Sequence, residues 1–485
     1  MPTSKRTGPR VAVLADSDTR WKWGLATARR LLADPGSDPG AAPGADPAAG
    51  PTGHAAPEIT GLLLRGRATP TRRQLAEVAR GADTTPGADP AHRPVEPAST
   101  PAAPREVTCA GFLAELAEDP WDVVVLALVG GTVQAVLHGV RAALPPGTRR
   151  PVLVTGYVGV VYEKLADGLL LRHGADLVLA NSRHDAHRFR EVYAGVGADA
   201  GAVTETALPF LGGAPYRGPR PEGPAATVVF AAQPSVPAAR EDRLHLLRRA
   251  AEHARRHPDR EVLVKLRSRP GEHTTHLEEH PYQRLAARLP APGLPPNCRL
   301  VHGHMGEVLD RTDLLVTVSS TAALESLHRG IPTAVLTDLG VREPLGNHHF
   351  LGSGCLASWD ELDAGAMPVG DPAWTAAHGV PGAESTADPY AEARTRLAAL
   401  LAGPPLPPPA PWYDRSTAPG YLPALLARHH LAPDGRPLPG APTPATAGAD
   451  PVRRWLKARL REAARGAYRQ GVQRVAPVIR RMGEL

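Results

Sequence analysis

Cysteine is nearly absent: Cys109, Cys298 and Cys355 are the three in 485 residues, far apart and odd in number. They build no disulfide framework and no zinc-finger spacing, and a reducing compartment is the expectation. No run of about 18 apolar residues occurs, so no membrane-spanning segment is expected. The opening MPTSKRTGPR leads into one short apolar run, Val11–Ala15, closed by Asp16. A signal peptide needs a longer apolar core and a small-residue cleavage site, so none is expected. Lysine, phenylalanine and methionine are scarce. There is no Walker lysine loop, GxSxG or GxGxxG, which removes the commonest kinase, esterase and nicotinamide readings.

What is present is Ala, Arg, Gly and Pro in excess, a bias of high-GC bacterial genomes. Hydrophobic residues still make up 42%, enough for real cores, and the length favours two or three folded units. The formal net charge is +6 and sits in the tail, where ten Arg or Lys lie between Arg453 and Arg481 against one acid, Glu462.

Short β-rich runs alternate with helical spacing along the chain. Val11–Ala15, Glu58–Arg65, Trp121–Leu128, Pro151–Thr155 and Ala175–Ala180 are expected strands, with helices over Trp21–Leu32, Thr132–Leu144 and through Phe189 to Tyr193. Residues 34–57 and 81–104 are rich in Pro, Gly, Ala and Asp without apolar period and are expected to be disordered insertions. Pro209–Pro224 reads as a linker, after which the pattern restarts with Thr227–Ala232, Glu261–Leu266, Leu314–Val318 and Ile331–Leu336 as strands. The alternation predicts two α/β halves with parallel sheets, 10–210 and 225–402, facing a cleft at their strand C-terminal ends. A Pro-rich tether over 403–451 and a basic amphipathic helix over 452–485 would follow.

The sharpest local signal is DLLVTVSSTAALESLHRGIP, Asp313–Pro332. A strand ends in Ser319, Ser320 and Thr321, which start a helix carrying Glu325. Free N–H groups and hydroxyls there suit a nucleotide phosphate, with Glu325 placed to accept from a sugar hydroxyl; simple N-capping is the competing reading.

This segment resembles the donor-binding segment of GT-B glycosyltransferases, notably the bacterial sialyltransferase- and polysialyltransferase-like families, where paired serines hold the nucleotide phosphate. VLVKLRSRPGEHTTHLEEHPY (Val262–Tyr282) resembles their basic strand end, making Lys265, Arg267 and Arg269 donor-side candidates. LADSDTRWKWG (Leu14–Gly24) and GYVGVVYEKLADGLLLRHGADLVLANS (Gly156–Ser182) resemble an actinobacterial family of inferred glycosyltransferases. The resemblance implies two Rossmann-like domains and sugar transfer from a nucleotide donor. The Asp/Glu-Asp/Glu-Gly motif of the sialyltransferases is missing, so the base is not assigned by it.

An inverting transfer needs a group to take the acceptor proton and cationic donors for the departing phosphate. Asp16 and Asp18, after the first strand, are the base candidates, with turn chemistry as the alternative; Glu163 is the reserve. Arg20 and Lys22 stand ready to orient a carboxylate or touch an acceptor. Gly130, Gly131, Tyr157 and Tyr162 complete the acceptor side. His302 and His304 are donor-side candidates for contacting the base. His273, His276 and His280 lack familiar zinc spacing, and no metal or cofactor is expected. The tail suggests adsorption to the inner face of the plasma membrane, or a terminal helix packed on the body. Nucleic-acid binding is disfavoured, since the stripe lacks interleaved aromatics. The expectation is a cytoplasmic, metal-independent glycosyltransferase acting on a cell-envelope glycan or lipid-linked acceptor, with a CMP-nonulosonate as the suggested donor. The alternatives are a CDP-glycerol-type glycerophosphotransferase, a nucleotide-sugar 2-epimerase and a non-catalytic sugar-nucleotide-binding partner.

Overall fold

A computed structural model of the chain describes residues 8–33, 58–66, 68–83, 103–160, 165–219, 226–267, 269 and 278–442. The insertion at 34–57, most of that at 81–104, Tyr162, Glu163, His273, His276 and the helix expected over 452–485 lie outside the described residues.

Seven strands form the first sheet: β1 (Arg10–Ala15), β2 (Glu58–Leu64), β3 (Arg105–Val107), β4 (Val123–Ala127), β5 (Val152–Gly156), β6 (Leu177–Ala180) and β7 (Val203–Glu205). Their order is β3-β2-β1-β4-β5-β6-β7, and all neighbours run parallel. The crossovers carry α1 (Asp18–Leu32), α2 (Arg72–Asp83), α3 (Cys109–Glu118), α4 (Gly130–Ala143), α5 (Leu165–Leu170) and α6 (Arg183–Gly195). The apolar strands need cover on both faces, and they have it. Val11, Val13, Val123 and Val125 face one core; Ala12, Leu14, Val124 and Leu126 face the other. Gly24 lets α1 lie close on the sheet, since a Cβ there would meet Val13 Cγ1 at 2.6 Å and Ala127 Cβ at 2.8 Å.

The second sheet repeats the plan with β8 (Ala226–Ala231), β9 (Arg260–Lys265), β10 (Cys298–Val301), β11 (Leu314–Thr317), β12 (Thr333–Leu336) and β13 (Leu356–Ala357). Its order is β10-β9-β8-β11-β12-β13, again all parallel. The helices α7 (Arg240–Arg256), α8 (Tyr282–Ala286), α9 (Met305–Leu309), α10 (Ala322–His328), α11 (Trp359–Asp363) and α12 (Pro372–Ala377) accompany it. The chain therefore has the two Rossmann-like, parallel-sheet domains of the GT-B layout. Among the described residues no helix is long and apolar enough to cross a membrane.

After α12 the chain crosses back to the first domain. α13 (Ala391–Ala402), which the sequence pattern groups with the second half, buries Tyr390, Ala393 and Leu397 in a core of the first sheet. Tyr390 Oη donates to Ala207 O at 2.8 Å, and Arg394 Nη1 to Arg30 O at 3.1 Å. The stretch read as a tether is likewise packed down over much of its described length. Leu422, Leu425 and Leu426 of α14 (Tyr421–Ala427), with Leu431, enter the other core of the first domain. Arg150 holds the incoming segment of this strap: it pairs with Asp176 at 2.7 Å and donates from Nε to Pro407 O at 2.6 Å. Proline richness looked like a tether, but the leucines between the prolines had a core to fill.

Candidate active site

In both sheets the strand order reverses beside the first strand, with β2 and β4 flanking β1, and β9 and β11 flanking β8. At such a reversal the loops leaving the strand C-terminal ends part to opposite faces and leave a crevice, where ligands bind in open parallel sheets. Asp16–Thr19 and Val129–Gly131 border the first crevice; Gln233 and Val318–Thr321 border the second. The two meet. Arg267, just past β9, reaches across to Asp18 Oδ1 at 3.4 Å and donates to Thr19 Oγ1. Gly159 comes so near the other domain that a Cβ there would lie 2.8 Å from Thr321 Oγ1.

On the first-domain side the two aspartates are not equivalent. Asp16 Oδ2 accepts from the Val129 N–H at 3.0 Å and Oδ1 from Arg20 Nη1 at 2.9 Å, so it staples the β1 loop to the β4 loop. Asp18 is held by nothing comparable: Thr19 Oγ1 donates to it at 3.3 Å, beside the Arg267 contact. Ser17 caps α1, accepting from the Arg20 N–H. Gly130 and Gly131 make room for protein. A Cβ at Gly130 would meet Leu171 at 3.0 Å and Arg172 Nη1 at 3.2 Å, and one at Gly131 would meet Leu425 Cδ1 of the strap at 2.9 Å. The Tyr157 ring lies under the Arg172 guanidinium at 4.0 Å. Arg172, buried and donating to Gly156 O and Gly168 O, went unnoticed in the sequence, as did His429 on the strap, which feels the charge of Asp16.

On the second-domain side the hydroxyl run is largely self-satisfied. Ser319 is 2% exposed; its Oγ donates to Leu345 O at 2.5 Å, and its N–H donates to Gln233 Oε1 at 2.9 Å. Ser320 Oγ accepts from the Ala322 N–H at 3.2 Å, and its own N–H donates to Thr317 Oγ1. Thr321, facing Gly159, is the hydroxyl of the three that looks across the crevice. Glu325 is buried, one turn into α10. Gln233, two residues beyond β8, is the partner of Ser319 that the sequence did not single out.

Positive charge gathers around His304. Burial drives its imidazole down to about 4, and the charges of Lys22, Lys265 and Arg329 push the same way, so it is neutral at neutral pH. Both its ring nitrogens are buried without a hydrogen-bond partner among the described residues. Lys265 is buried at the end of β9 and donates from Nζ to Leu266 O at 2.8 Å; Lys22 also sits over the Phe210 ring at 4.6 Å. His302 lies 3.4 Å from Gln283 Nε2, and Arg269 is exposed beyond the β9 end. Among the described residues one group has metal-ligand spacing, His253, His257 and Asp363. It lies at the far ends of α7 and α11, where these helices lead away from the crevice. Arg249 and Arg256 already bind Asp363, and their charge opposes a cation.

The model of the family described as "Putative glycosyltransferase (DUF6716)" matches residues 11–400. No curated protein matches the chain. Among solved structures, a putative UDP-N-acetylglucosamine 2-epimerase from Listeria monocytogenes aligns over 81% of this chain and 95% of its own, at 14% identity and a TM-score of 0.46. The UDP-GlcNAc 2-epimerase from Neisseria meningitidis bound to UDP-GlcNAc aligns over 81% and 98%, at 10% identity and 0.42. Spinosyn forosaminyltransferase aligns over 81% and 100%, at 14% identity and 0.40. At these scores the likenesses specify no function.

Proposed function

The chain belongs to the putative glycosyltransferase family DUF6716, and from that premise we propose that it moves a sugar from a nucleotide-activated donor to an acceptor hydroxyl in the crevice between its two sheets. One observation carries the reading: Lys22 and Lys265 converge on His304, which has no hydrogen-bond partner among the described residues, and Arg267 holds Asp18 where the two switch points face each other. Such a cluster is an anion site, and a departing nucleotide phosphate is the anion that sugar transfer generates. The cations would stabilise it without a metal, and Thr321 would add a hydroxyl from the β11 loop.

Asp18 is the proposed base. A donor phosphate that draws Arg267 away leaves the Asp18 carboxylate to take the acceptor proton as the hydroxyl attacks the anomeric carbon; one carboxylate acting by direct displacement inverts the configuration. Asp16 is then a positioning residue, holding Arg20 and the Val129 amide in place. We further propose a CMP-nonulosonate as donor and a cell-envelope or lipid-linked glycan as acceptor, as the resemblance read from the sequence around Ser319–Thr321 implies.

A thermal-shift screen against CMP, CDP, UDP, GDP, TDP and ADP tests the donor site. A ligand confined to the folded state stabilises it by about 2.7 kcal/mol at a hundredfold excess over its dissociation constant. Selective stabilisation by one nucleotide, lost in Arg267→Gln, is the expected result, with CMP the proposed best. Stabilisation by CDP turns the reading toward glycerophosphate transfer. UDP-GlcNAc turned over without acceptor turns it toward epimerisation, and no shift with any nucleotide overturns the donor site.

A further inference from the structure

A second cavity lies between the domains, away from the switch points, with a volume of about 310 Å³. Its wall is made by His184 and Arg188 of α6 in the first domain and by His349, Trp374 and His378 of the second, with His348 and Leu351 completing it. Among the described residues the lining contains no carboxylate. This volume is at the small end of ligand pockets, room for a molecule somewhat larger than a bare ion.

The rings are arranged as a ladder. Phe350 stacks on Trp374 at 5.5 Å, Trp374 on His378 at 3.9 Å, and His378 on His184 of the other domain at 4.6 Å. His349 stands edge-on against Trp374 and His378. Trp374 and His378 each already stack on two neighbouring rings, which limits the ring surface they offer a planar ligand. Imidazoles and the Arg188 guanidinium are the polar groups that line the cavity. His378 Nδ1 donates to Trp374 O at 2.8 Å, which leaves Nε2 as the nitrogen able to gain a proton.

We propose that this interdomain cavity binds the phosphate or carboxylate group of a small organic acid, held by Arg188 and by the imidazole edges of His184, His349 and His378. The guanidinium supplies paired donors that match an oxyanion, and the imidazoles become donors on both nitrogens when protonated. The surroundings make that protonation depend on the anion. Burial holds His184, His349 and His378 below the ordinary histidine range, His349 at about 3, and the neighbouring charges of Arg188, His187 and His348 act in the same direction. Asp185, 4.0 Å from Arg188 and itself buried, is the one opposing carboxylate on α6 close to the group. An anion raises the imidazoles, so its binding takes up protons and strengthens as the pH falls. The site spans both halves, so its occupant also ties α6 to the second domain. The inference does not rest on the sugar-transfer reading.

The test follows single imidazoles by 1H–15N correlation in the full chain labelled on histidine nitrogen, titrated with inorganic phosphate and separately with malonate, at about pH 8 and about pH 6. His184→Gln and His378→Gln assign the signals. The expected result is a saturable shift of these imidazoles with at least one of the two anions, tighter by several-fold at the lower pH and weakened about tenfold or more in Arg188→Gln. Arg188→Lys, which keeps the charge and loses the fork, should bind with intermediate affinity, and it replaces Arg188→Gln if that variant does not fold. Shifts confined to His304 mean that the anions occupy only the crevice, and overturn the proposal. Silence with both anions overturns it too, as does binding unchanged in Arg188→Gln. Equimolar zinc moving the three imidazoles while phosphate and malonate do not would make the cluster a metal site instead.

Discussion

At the scale of single residues, hydrogen bonding separates side chains that look alike in the sequence. Asp18→Asn should lower kcat by about 10²-fold or more while the nucleotide-induced thermal shift persists, because only the proton acceptor is lost. Asp16→Asn should instead lower the melting temperature, since the amide cannot accept from both Arg20 and the Val129 N–H as the carboxylate does. Ser319→Ala leaves Leu345 O and Gln233 short of a partner and should cost about 1–3 kcal/mol in denaturant unfolding. Thr321→Ala should leave stability nearly unchanged and raise the KM for donor. An unchanged melting curve for Ser319→Ala would mean that its buried bonds are replaced by water.

At the scale of elements, the contact of α1 with the sheet depends on one missing methyl group. Gly24→Ala drives a Cβ into Val13 and Ala127, and a chemical denaturation curve should register a loss of about 1–3 kcal/mol. The strap is the second element-scale device. Chains ending at residue 403 expose the seats of Leu422, Leu425, Leu426 and Leu431, and remove the Leu425 contact over Gly131. Such chains should be recovered mainly as aggregates, with refolding yield as the measurement. A fragment of residues 226–402 should also expose the apolar face of α13, whose seat is on the other domain.

At the scale of the whole molecule, histidine burial sets the response to acid. Nine described histidines, among them His253, His304, His328 and His349, are held below their ordinary range chiefly by burial. With folded values depressed, the unfolded chain binds more protons just below the unfolded histidine value of about 6.5, so stability is full above it and is lost as pH falls toward 4. Asp185, Glu278 and Asp338 are raised by burial and act in the opposite sense, but in the lower carboxyl range. The melting temperature should therefore fall steadily between about pH 6.5 and about pH 4.5; a flat profile there would contradict the burial of these imidazoles.

The sequence by itself determined the layered plan. Runs such as VVVLA and TVVFA are apolar throughout because a parallel strand is covered on both faces, and that pattern is local. It also located the crevice loops, because a polar cluster at the end of a buried strand has to lie at the sheet edge. Short or marginal pieces escaped it: β3 and β7 are three residues each, and α3 is a ten-residue helix whose start is marked by the single cap Thr108. Only the tertiary structure decided where α13 and the proline-rich strap pack, since their partners lie more than a hundred residues away in the chain. It alone divided the labour between Asp16 and Asp18, spent the Ser319 hydroxyl on Leu345, and stacked His378 on His184 across the domain boundary. The physical reason is common to all of these. Burial and periodicity are written into neighbouring residues, whereas the partner of a hydrogen bond or an aromatic face is chosen by elements that meet only after folding.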